Sequence, residues 1–431
     1  MAIATQGGAA ISDDPNLETG RTVSDTETGD SGLGATEVAA KRNLDAAKAA
    51  KNDEFYTQWA DIEREMNAYL EYDPDVFRDR VILLPCDDPE WSNFAKFFAL
   101  HFMDYGLKKL ISTSYAADSK PADIVYQPTL FELEAPQFDE SRTRSNGKVF
   151  VLESKDINGD GAINIDDLLW RYLEGDGDFR SEEVKALRDE ADIVITNPPF
   201  SLFREFVAWL VEGNKKFSII GNSNAVTYVE TFPLIQGNRL WKGATANNTD
   251  MVFGVPKGAK IAEADKLKAE KLGYPSDELR DYTRLGNSCW FTNIEHGRRH
   301  EPAQLMTMAD NLKFSRHKEV RGVGYRKYYN FDAIEIPFVD AIPADYMGVM
   351  GVPITFLDKY NPEQFEIIGS AEDMEQMRQL GVEPLGPEFV RIYYAQGGTG
   401  SISAGHRKLG LTEPRYYVPF KRILICKKVV S

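Results

Sequence analysis

The stretch Ala191-Asp192-Ile193-Val194-Ile195-Thr196-Asn197-Pro198-Pro199-Phe200 decides the fold class. Its first half is a short apolar run after an acid, which is typical of a fully buried central strand in a parallel sheet. Its second half cannot continue that strand or begin a helix directly, because Pro199 restrains Pro198 and neither proline has an N–H. The backbone is therefore held stiff just past the carboxyl end of the strand. In open α/β sheets, ligands bind at that edge.

The residues at this edge suit a planar nitrogen. The side-chain oxygen of Asn197 and the carbonyl of Pro198 can accept hydrogen bonds from an –NH2 group, and Phe200 can stack on the ring that carries it. The alternative is a loop that merely ends a strand. The sequence favours a site where a planar amine or amide is bound.

The flanking patterns predict an α/β sheet around this strand. A helix is expected from Trp59 to about Tyr72, and strands at 80–86 and 109–115 are joined by a helix. Asp88 is predicted to cap that helix and Pro89 to occupy its first turn, with the helix running to about residue 105. A helix at 202–210 and a strand at 216–222 follow the central strand. The loop that holds Asn222 and Asn224 should therefore lie at the same edge as Asn197.

Length and composition bound the remaining possibilities. The chain has 431 residues, a net charge of −17 and a pI of about 4.9, which lowers the expectation of nucleic-acid binding without excluding it. No apolar run approaches a membrane span and no signal peptide is evident, so no membrane association and a cytoplasmic location are expected. Three separated cysteines support neither a disulfide framework nor a cysteine-built zinc site. Residues 1–40 are acidic and poor in large apolar residues, and we expect them to be disordered.

A loop at residues 156–167 fits the calcium-binding pattern of an EF-hand. Oxygen ligands stand at the expected positions, a glycine stands at the sixth and an acid at the twelfth, and 168–173 is predicted to form the exiting helix. The predicted ligands are Asp156, Asn158, Asp160, Ala162, Asn164 and Asp167. The alternative is a turn rich in Asp and Asn that binds no metal.

Basic clusters with interleaved tyrosines occur in the otherwise acidic chain, mostly beyond residue 296. Each residue alone is better explained as solvated surface, but together they indicate a groove that faces phosphates. With the amides of the 222–224 loop, the predicted DNA-binding residues are Asn222, Asn224, Arg298, Arg299, Lys313, Arg316, Lys318, Arg321, Arg326, Lys327, His406, Arg407 and Lys408.

Asn197-Pro198-Pro199-Phe200 resembles the (Asn/Asp)-Pro-Pro-(Tyr/Phe) motif of S-adenosylmethionine-dependent methyltransferases that modify exocyclic or amide nitrogens. The resemblance implies that these four residues are catalytic. Gly-Asp-Phe at 177–179 resembles the cofactor motif of these enzymes, which implies that Asp178 contacts the cofactor adenine amine while Phe179 adds backbone and packing contacts. Phe55-Tyr56-Thr57 resembles the segment that lies over the cofactor.

The half of the cofactor site that faces the methionine carries no glycine-rich turn. Asp87 is expected to bind the α-amino group together with Asp88, and the following helix N-terminus with Ser92 is expected to face the carboxylate. With these residues, the segments 53–58, 86–89, 175–181, 197–200, 221–225 and 350–360 are similar to the EcoRI-like adenine-specific DNA methyltransferases. The similarity runs from about residue 50 to the C-terminus, and in that family Asp-Asp-Pro replaces the glycine turn.

The resemblance implies a Rossmann-like methyltransferase sheet with helices on both faces, plus a C-terminal mixed α+β DNA-recognition region. The catalytic domain would span 41–295, with an insertion at 118–174 and a charged, largely helical one at about 258–285, and 296–431 would recognise the target. It implies methylation of adenine N6 in double-stranded DNA by a monomer that uses S-adenosylmethionine, beside a possible cognate restriction endonuclease. Methylation of a protein glutamine or an RNA base stays open, as does a calcium-dependent interaction module.

Overall fold

The computed structural model describes residues 55–89, 91–116, 133, 135–245 and 251–428. The predicted tail, residues 1–40, and residues 118–132 of the predicted first insertion lie outside these ranges. The described strands are β1 (Tyr56–Thr57), β2 (Val81–Leu84), β3 (Lys109–Ser114), β4 (Lys148–Glu153), β5 (Leu169–Tyr172), β6 (Ile193–Thr196), β7 (Lys216–Asn222), β8 (Trp241–Lys242), β9 (Met251–Pro256), β10 (Arg280–Leu285), β11 (Ser288–Thr292), β12 (Arg326–Lys327), β13 (Ile334–Glu335), β14 (Met350–Pro353), β15 (Phe365–Ser370) and β16 (Arg422–Lys427).

The described α-helices are α1 (Trp59–Tyr72), α2 (Asn93–Leu100), α3 (Glu140–Ser145), α4 (Glu182–Glu190), α5 (Phe203–Glu212), α6 (Phe232–Gln236), α7 (Glu263–Lys271), α8 (Met308–Phe314), α9 (Met374–Gln379) and α10 (Pro387–Ala395). Short 3-10 segments stand at Ile165–Asp167, Phe200–Leu202, Ser223–Thr227, Gly297–His300, Val339–Ala341 and Ile354–Lys359.

An eight-stranded sheet organises the chain. Its strand order is β5-β4-β3-β2-β6-β7-β11-β8. The four central strands β3, β2, β6 and β7 run parallel, so their carboxyl ends share one edge. The strands on both sides of this group, β4 and β11, pair antiparallel. The stretch 191–200 thus supplies one of the two middle strands, as its apolar run predicts.

Helices cover both faces of this sheet, and the central strands alternate between two hydrophobic cores. Val81 and Leu83 pack in the core that holds α4 and α5, whereas Ile82 and Leu84 pack in the core that holds α1 and α2. Successive side chains of a strand point to opposite faces, so a strand buried on both faces reads as a continuous apolar run. The predicted α/β class with helices on both faces is confirmed.

Two smaller sheets complete the fold. β1 pairs with β9, and β9 with β10, in an antiparallel three-stranded sheet. Toward the C-terminus, five strands form a sheet in the order β12-β13-β14-β16-β15. Apolar residues of this last sheet belong to the same core as α4 and α5. The C-terminal region therefore packs directly against the main sheet, and the predicted domain boundary near residue 296 stays a prediction.

Three local predictions are wrong. The helix after β2 begins at Asn93 and ends at Leu100, because Ser92 and not Asp88 is its N-cap, with the Ser92 hydroxyl accepting from Phe94 N at 3.0 Å. After the 156–167 loop the chain forms strand β5 rather than a helix, since its residues alternate between exposed and buried. Within 258–285 only α7 is helical, and β10 pairs with β9.

Two predictions from composition can be compared with the structure. All three cysteines, Cys86, Cys289 and Cys426, are free thiols, as their spacing predicts. Among the residues with described positions, every helix is too short or too polar to cross a bilayer.

Candidate active site

Three parallel strands bring the predicted catalytic and cofactor residues to one edge of the main sheet. Asn197 follows β6, Asp87 follows β2, and these strands are neighbours. The loop that holds Asp178 packs on the end of β3, where Ala116 N donates to Asp176 O at 2.9 Å. Gly177 in this loop has φ 89° and lies against the Ser114 carbonyl, so a side chain there would be strained and would clash. Residues from three separate segments therefore converge.

The amide of Asn197 is fixed in one orientation. Its Nδ2 donates to the carbonyl oxygen of Phe55 at 2.7 Å. Its Oδ1 is buried and has no hydrogen-bond partner in the described part of the chain. A buried acceptor without a donor is costly, and such groups are concentrated at functional sites. Asn197 thus presents an unused acceptor at the carboxyl edge of the sheet.

An aromatic cluster surrounds residues 197–200, which are called the catalytic loop after their predicted role. The Phe200 ring stacks on the Phe55 ring with a centroid distance of 5.4 Å and an interplanar angle of 22°. Phe253 of β9 meets both rings edge-on, at 5.9 Å from Phe55 and 6.4 Å from Phe200. Pro198 and Pro199 are buried. The small sheet β1-β9-β10 is therefore anchored on the catalytic loop.

Asp87 ties the ends of β2 and β6 to the start of α2. One carboxyl oxygen accepts from the Ser92 hydroxyl and the other contacts the Thr196 hydroxyl, both at 2.6 Å. Thr196 Oγ1 also donates to Pro85 O at 2.9 Å. Burial raises the pKa of the Asp87 carboxyl to about 7, although the two hydroxyls act to lower it. Because Thr196 immediately precedes Asn197, this carboxyl group helps to position the catalytic loop.

Asp178 is held by an arginine two residues later in the chain. Arg180 binds it through two hydrogen bonds, Nε to Oδ1 at 2.9 Å and Nη2 to Oδ2 at 2.6 Å, and reaches Glu205 of α5 with its Nη1 at 2.9 Å. Phe179 is fully buried and packs edge-on against Phe206 at 5.0 Å. Of this predicted pair, only Asp178 presents its side chain at the site. Phe179 stabilises the loop from the core.

Within the segment 55–57, Tyr56 and Thr57 form the short strand β1 over the same edge. The guanidinium carbon of Arg280 lies over the Tyr56 ring, 4.7 Å from the centroid of that ring. Thr57 is buried, its carbonyl accepts from Asn93 Nδ2 at 2.7 Å, and its hydroxyl lacks a hydrogen-bond partner within the described residues. An unsatisfied hydroxyl beside the N-terminus of α2 fits a polar ligand at this position. Asp88 is half-buried at the turn that leads to α2.

The loop after β7 lies at the same edge, next to the C-terminal region. Asn222 caps the 3-10 segment Ser223–Thr227 by accepting from Asn224 N at 2.9 Å. Lys421, which immediately precedes β16, donates to Thr227 Oγ1 at 3.1 Å and to Asn224 Oδ1 at 3.4 Å. The two predicted DNA-binding amides are thereby joined to the C-terminal sheet.

The 156–167 loop satisfies its own side chains. Asp156 accepts from Gly159 N and Gly161 N at 2.6 and 2.8 Å, and Asp160 accepts from Ala162 N at 2.8 Å. Asp167 accepts from the backbone N–H groups of Ile157, Asn158 and Asn164, which lowers the pKa of its carboxyl. Asn164 caps the next segment. Across the described ranges, no three His, Cys, Asp or Glu side chains come together as a metal site. The structure does not support bound calcium.

The predicted DNA-binding residues differ in how accessible they are. Arg299 is 4% exposed and lies over the Trp241 ring, so it is not a surface residue. Arg316 pairs with Asp340 at 2.7 Å, and Lys408 with Glu372 at 2.9 Å. His406 and Arg407 are half-buried, and Arg326 is half-buried in β12. Exposed side chains remain at Arg298, Lys313, Lys318, Arg321 and Lys327, and Arg316 is exposed despite its ion pair.

Sequence reasoning missed four residues that shape the site, namely Thr196, Arg180, Phe253 and Lys421. Thr196 stands inside the quoted stretch, and an internal hydroxyl at the end of an apolar strand was the available signal. Arg180 follows the cofactor motif directly, so its proximity to Asp178 was also visible. The positions of Phe253 and Lys421 depend on long-range pairing, which no local pattern indicates.

The amino-acid sequence of this chain is similar to those of known proteins. A family model described as "Adenine-specific methyltransferase EcoRI" matches residues 43–428. The chain is 38% identical to the Type II methyltransferase M.EcoRI of Escherichia coli, over 81% of this chain and 95% of that protein. It is 34% identical to the Type II methyltransferase M.MpnI of Mycoplasma pneumoniae, over 75% and 83%. It is 32% identical to M.MgeORF184P of Mycoplasma genitalium, over 76% and 85%. No solved structure gives a significant match.

Proposed function

The chain belongs to the EcoRI family of adenine-specific methyltransferases, and we propose that it transfers a methyl group from S-adenosylmethionine to N6 of a flipped-out adenine in duplex DNA. The family and the named Type II relatives support the reaction class. The assignment of individual residues rests on the geometry of the sheet edge.

The orientation of Asn197 carries the proposal. Its Nδ2 is committed to Phe55 O, so its unpartnered Oδ1 is the atom that faces an incoming donor. An adenine amine supplies such a donor in N6–H. A loop that only ended β6 would not keep a buried acceptor unsatisfied, since this costs about 1–3 kcal/mol.

The four residues 197–200 act by positioning. Asn197 Oδ1 and the Pro198 carbonyl accept the two N6–H hydrogen bonds, which favours a tetrahedral nitrogen whose lone pair is no longer delocalised into the ring. Pro199 fixes the loop, and Phe200 stacks on the base. S-adenosylmethionine supplies the electrophilic methyl group when bound. The N6–CH3 bond forms as the bond between that methyl group and the sulfonium sulfur breaks, S-adenosylhomocysteine leaves, and N6 then releases one proton to solvent. Orientation of N6 and exclusion of water from the reacting atoms, rather than a strong base, therefore account for the rate.

The residues around the edge fit S-adenosylmethionine. We assign Asp178 to the cofactor adenine amine, because Arg180 holds its carboxylate at the carboxyl edge. The N-terminus of α2 and the unpartnered hydroxyl of Thr57 suit the carboxylate of the methionine portion. We assign its ammonium group to Asp87 and Asp88, and a bound ammonium would favour the ionised form of the Asp87 carboxyl, which is protonated in the ligand-free network.

A flipped base requires a duplex held against this edge. We propose that the exposed cations of the C-terminal region contact the phosphates and that Asn222 and Asn224 contact the DNA beside the target base. We further propose that the protein acts as a monomer in the cytoplasm beside a cognate restriction endonuclease. The designation of its relatives as Type II methyltransferases supports the last point. Calcium is not part of the proposal.

Labelled S-adenosylmethionine incubated with mixed-sequence DNA, followed by digestion to nucleosides, tests the function. We expect labelled N6-methyladenine, and no transfer to RNA or to glutamine-containing peptides. Asn197→Ala should lower kcat by about 10²-fold or more, as removal of a transition-state contact does, and should leave cofactor binding intact. Asn67→Ala, at an exposed position of α1, is the control. An active Asn197→Ala enzyme would contradict the proposed mechanism.

A further inference from the structure

A small cavity lies at the outer edge of the main sheet, beside β8. Its volume is about 20 Å³, and its walls come from β8, the segment Gly297–His300 and the segment Ile354–Lys359. Three strand spacings separate β8 from β6, which corresponds to roughly 14 Å. Residues 350–360 resemble a family segment, yet the proposed reaction does not use them.

The floor of the cavity contains a buried cation with unused donors. Arg299 is 4% exposed and its guanidinium carbon stacks 3.7 Å from the Trp241 ring centroid. Its Nη2 donates to Asn238 Oδ1 at 2.5 Å, whereas Nε and Nη1 make no hydrogen bond among the described residues. The carboxylate of Glu295 lies 3.4 Å from Nε, outside hydrogen-bond geometry. A buried guanidinium with two unsatisfied nitrogens, which carry three N–H groups, requires an acceptor.

A second buried side chain faces the same cavity. His296 is 3% exposed, and its Nε2 lies 3.0 Å from the carbonyl of Lys242, to which it donates. Its Nδ1 therefore carries a lone pair, which has no partner within the described chain. The group that fills the cavity must accept from Arg299 and must donate to His296 directly or through a water. A phosphate with one P–OH does both, and a phosphodiester does so with a bridging water.

The mouth of the cavity carries uncompensated positive charge. Arg298 and Lys359 are exposed, and neither forms an ion pair within the described ranges. The third cation, Lys242, is already paired with Asp358 at 2.5 Å. In a chain of net charge −17, this local excess indicates a place for an anion.

We propose that this cavity and its mouth bind a phosphate group. The cavity admits about one oxygen-sized group, which reaches Arg299, while Arg298 and Lys359 hold the remaining oxygens at the mouth. The phosphate comes either from the DNA backbone or from free phosphate. The first case, in which the phosphate belongs to the DNA backbone, rests on the proposed function.

Thermal unfolding of the full chain tests phosphate binding without any methylation. Sodium phosphate at a concentration of ten times its Kd should raise Tm by about 2 °C. The reference is sodium chloride at equal ionic strength. The double variant Arg298→Gln/Lys359→Gln changes only exposed residues, so it should fold and should weaken phosphate binding by about tenfold or more. Lys271→Gln, which removes an exposed cation of α7, should respond to phosphate like the wild type.

Duplex binding distinguishes the two sources. If the phosphate belongs to DNA, the double variant should lower the slope of log Kd against log salt by about 1, and Lys271→Gln should not. If it is free phosphate, the slope stays unchanged while the Tm shift is lost. Equal Tm in phosphate and chloride together with an unchanged slope would overturn the proposal and leave the cavity to water. Absence of methylation by the wild type would refute only the proposed function.

Discussion

Replacing the buried carboxyl of Asp87 by an amide should change how stability depends on pH. The Thr196 hydroxyl has a single proton, and Pro85 O is one of its two acceptors. When Thr196 donates to Pro85 O, the proton between Thr196 and Asp87 must come from Asp87. The protonated carboxyl therefore completes this network, in agreement with a pKa raised to about 7 by burial. In Asp87→Asn, an amide N–H can make the same hydrogen bond at every pH.

The magnitude follows from proton linkage. The unfolded pKa is 3.8 and the folded pKa about 7, so the native state holds a proton that the unfolded state releases. A raised carboxyl pKa gives stability that is present at low pH and is lost as pH rises through about 7. Between pH 5 and pH 8 the wild type should lose roughly 2.5 kcal/mol through this group alone, at about 1.4 kcal/mol per pKa unit. Asp87→Asn lacks the titrating group, so it should show no loss of stability from this position between pH 5 and pH 8.

Urea unfolding of both proteins at pH 5 and pH 8 isolates this effect. All other titrating groups are shared, so they cancel in the difference between the two proteins. We expect the free energy of unfolding of Asp87→Asn, measured relative to that of the wild type, to be roughly 2.5 kcal/mol higher at pH 8 than at pH 5. Equal losses in the two proteins would refute the protonated network.

Three further predictions concern single residues. Arg180→Gln should raise KM for S-adenosylmethionine about tenfold with little change in kcat, because Asp178 loses its bidentate partner; an unchanged KM would exclude a positioning role. Phe179→Ala should cost about 3–5 kcal/mol in urea unfolding, because a fully buried ring is removed, and a loss below 1 kcal/mol would contradict its place in the core. The protein should have the same Tm in EGTA and in calcium. A calcium site would instead add about 2.7 kcal/mol to the free energy of unfolding at a free calcium concentration of 100 times its Kd.

The sequence is most informative where the chemistry is local. The stretch 191–200 contains the buried strand, the stiff turn and the amide, and all three lie as their order indicates. The alternation between two cores follows from period-two geometry alone. Once the sheet is taken to be parallel, Asn197 must lie at the edge where the carboxyl ends of the strands meet.

Other features depend on contacts that local patterns do not encode. Asp88 and Ser92 are both acceptable helix caps, and the choice of Ser92 reflects its second bond to Asp87. The 156–167 loop has the residue types of a calcium site, but the same carboxylates can accept backbone N–H groups. Arg299 stands in a basic cluster, yet it packs on Trp241. In each case tertiary packing selects between two locally equivalent uses of one side chain.

The position of β16 has a consequence for synthesis on the ribosome. This strand, Arg422–Lys427, follows the other four strands of its sheet in the chain and pairs with both β14 and β15 in the interior of that sheet. The sheet therefore stays incomplete until residues 422–427 have been synthesised, whereas β2, β3, β6 and β7 emerge much earlier and can form their parallel group first. Lys421 contacts the 222–227 loop only after that final strand has docked. A chain truncated before Lys421 would keep its catalytic loop and lose both β16 and the Lys421 contact to the 222–227 loop.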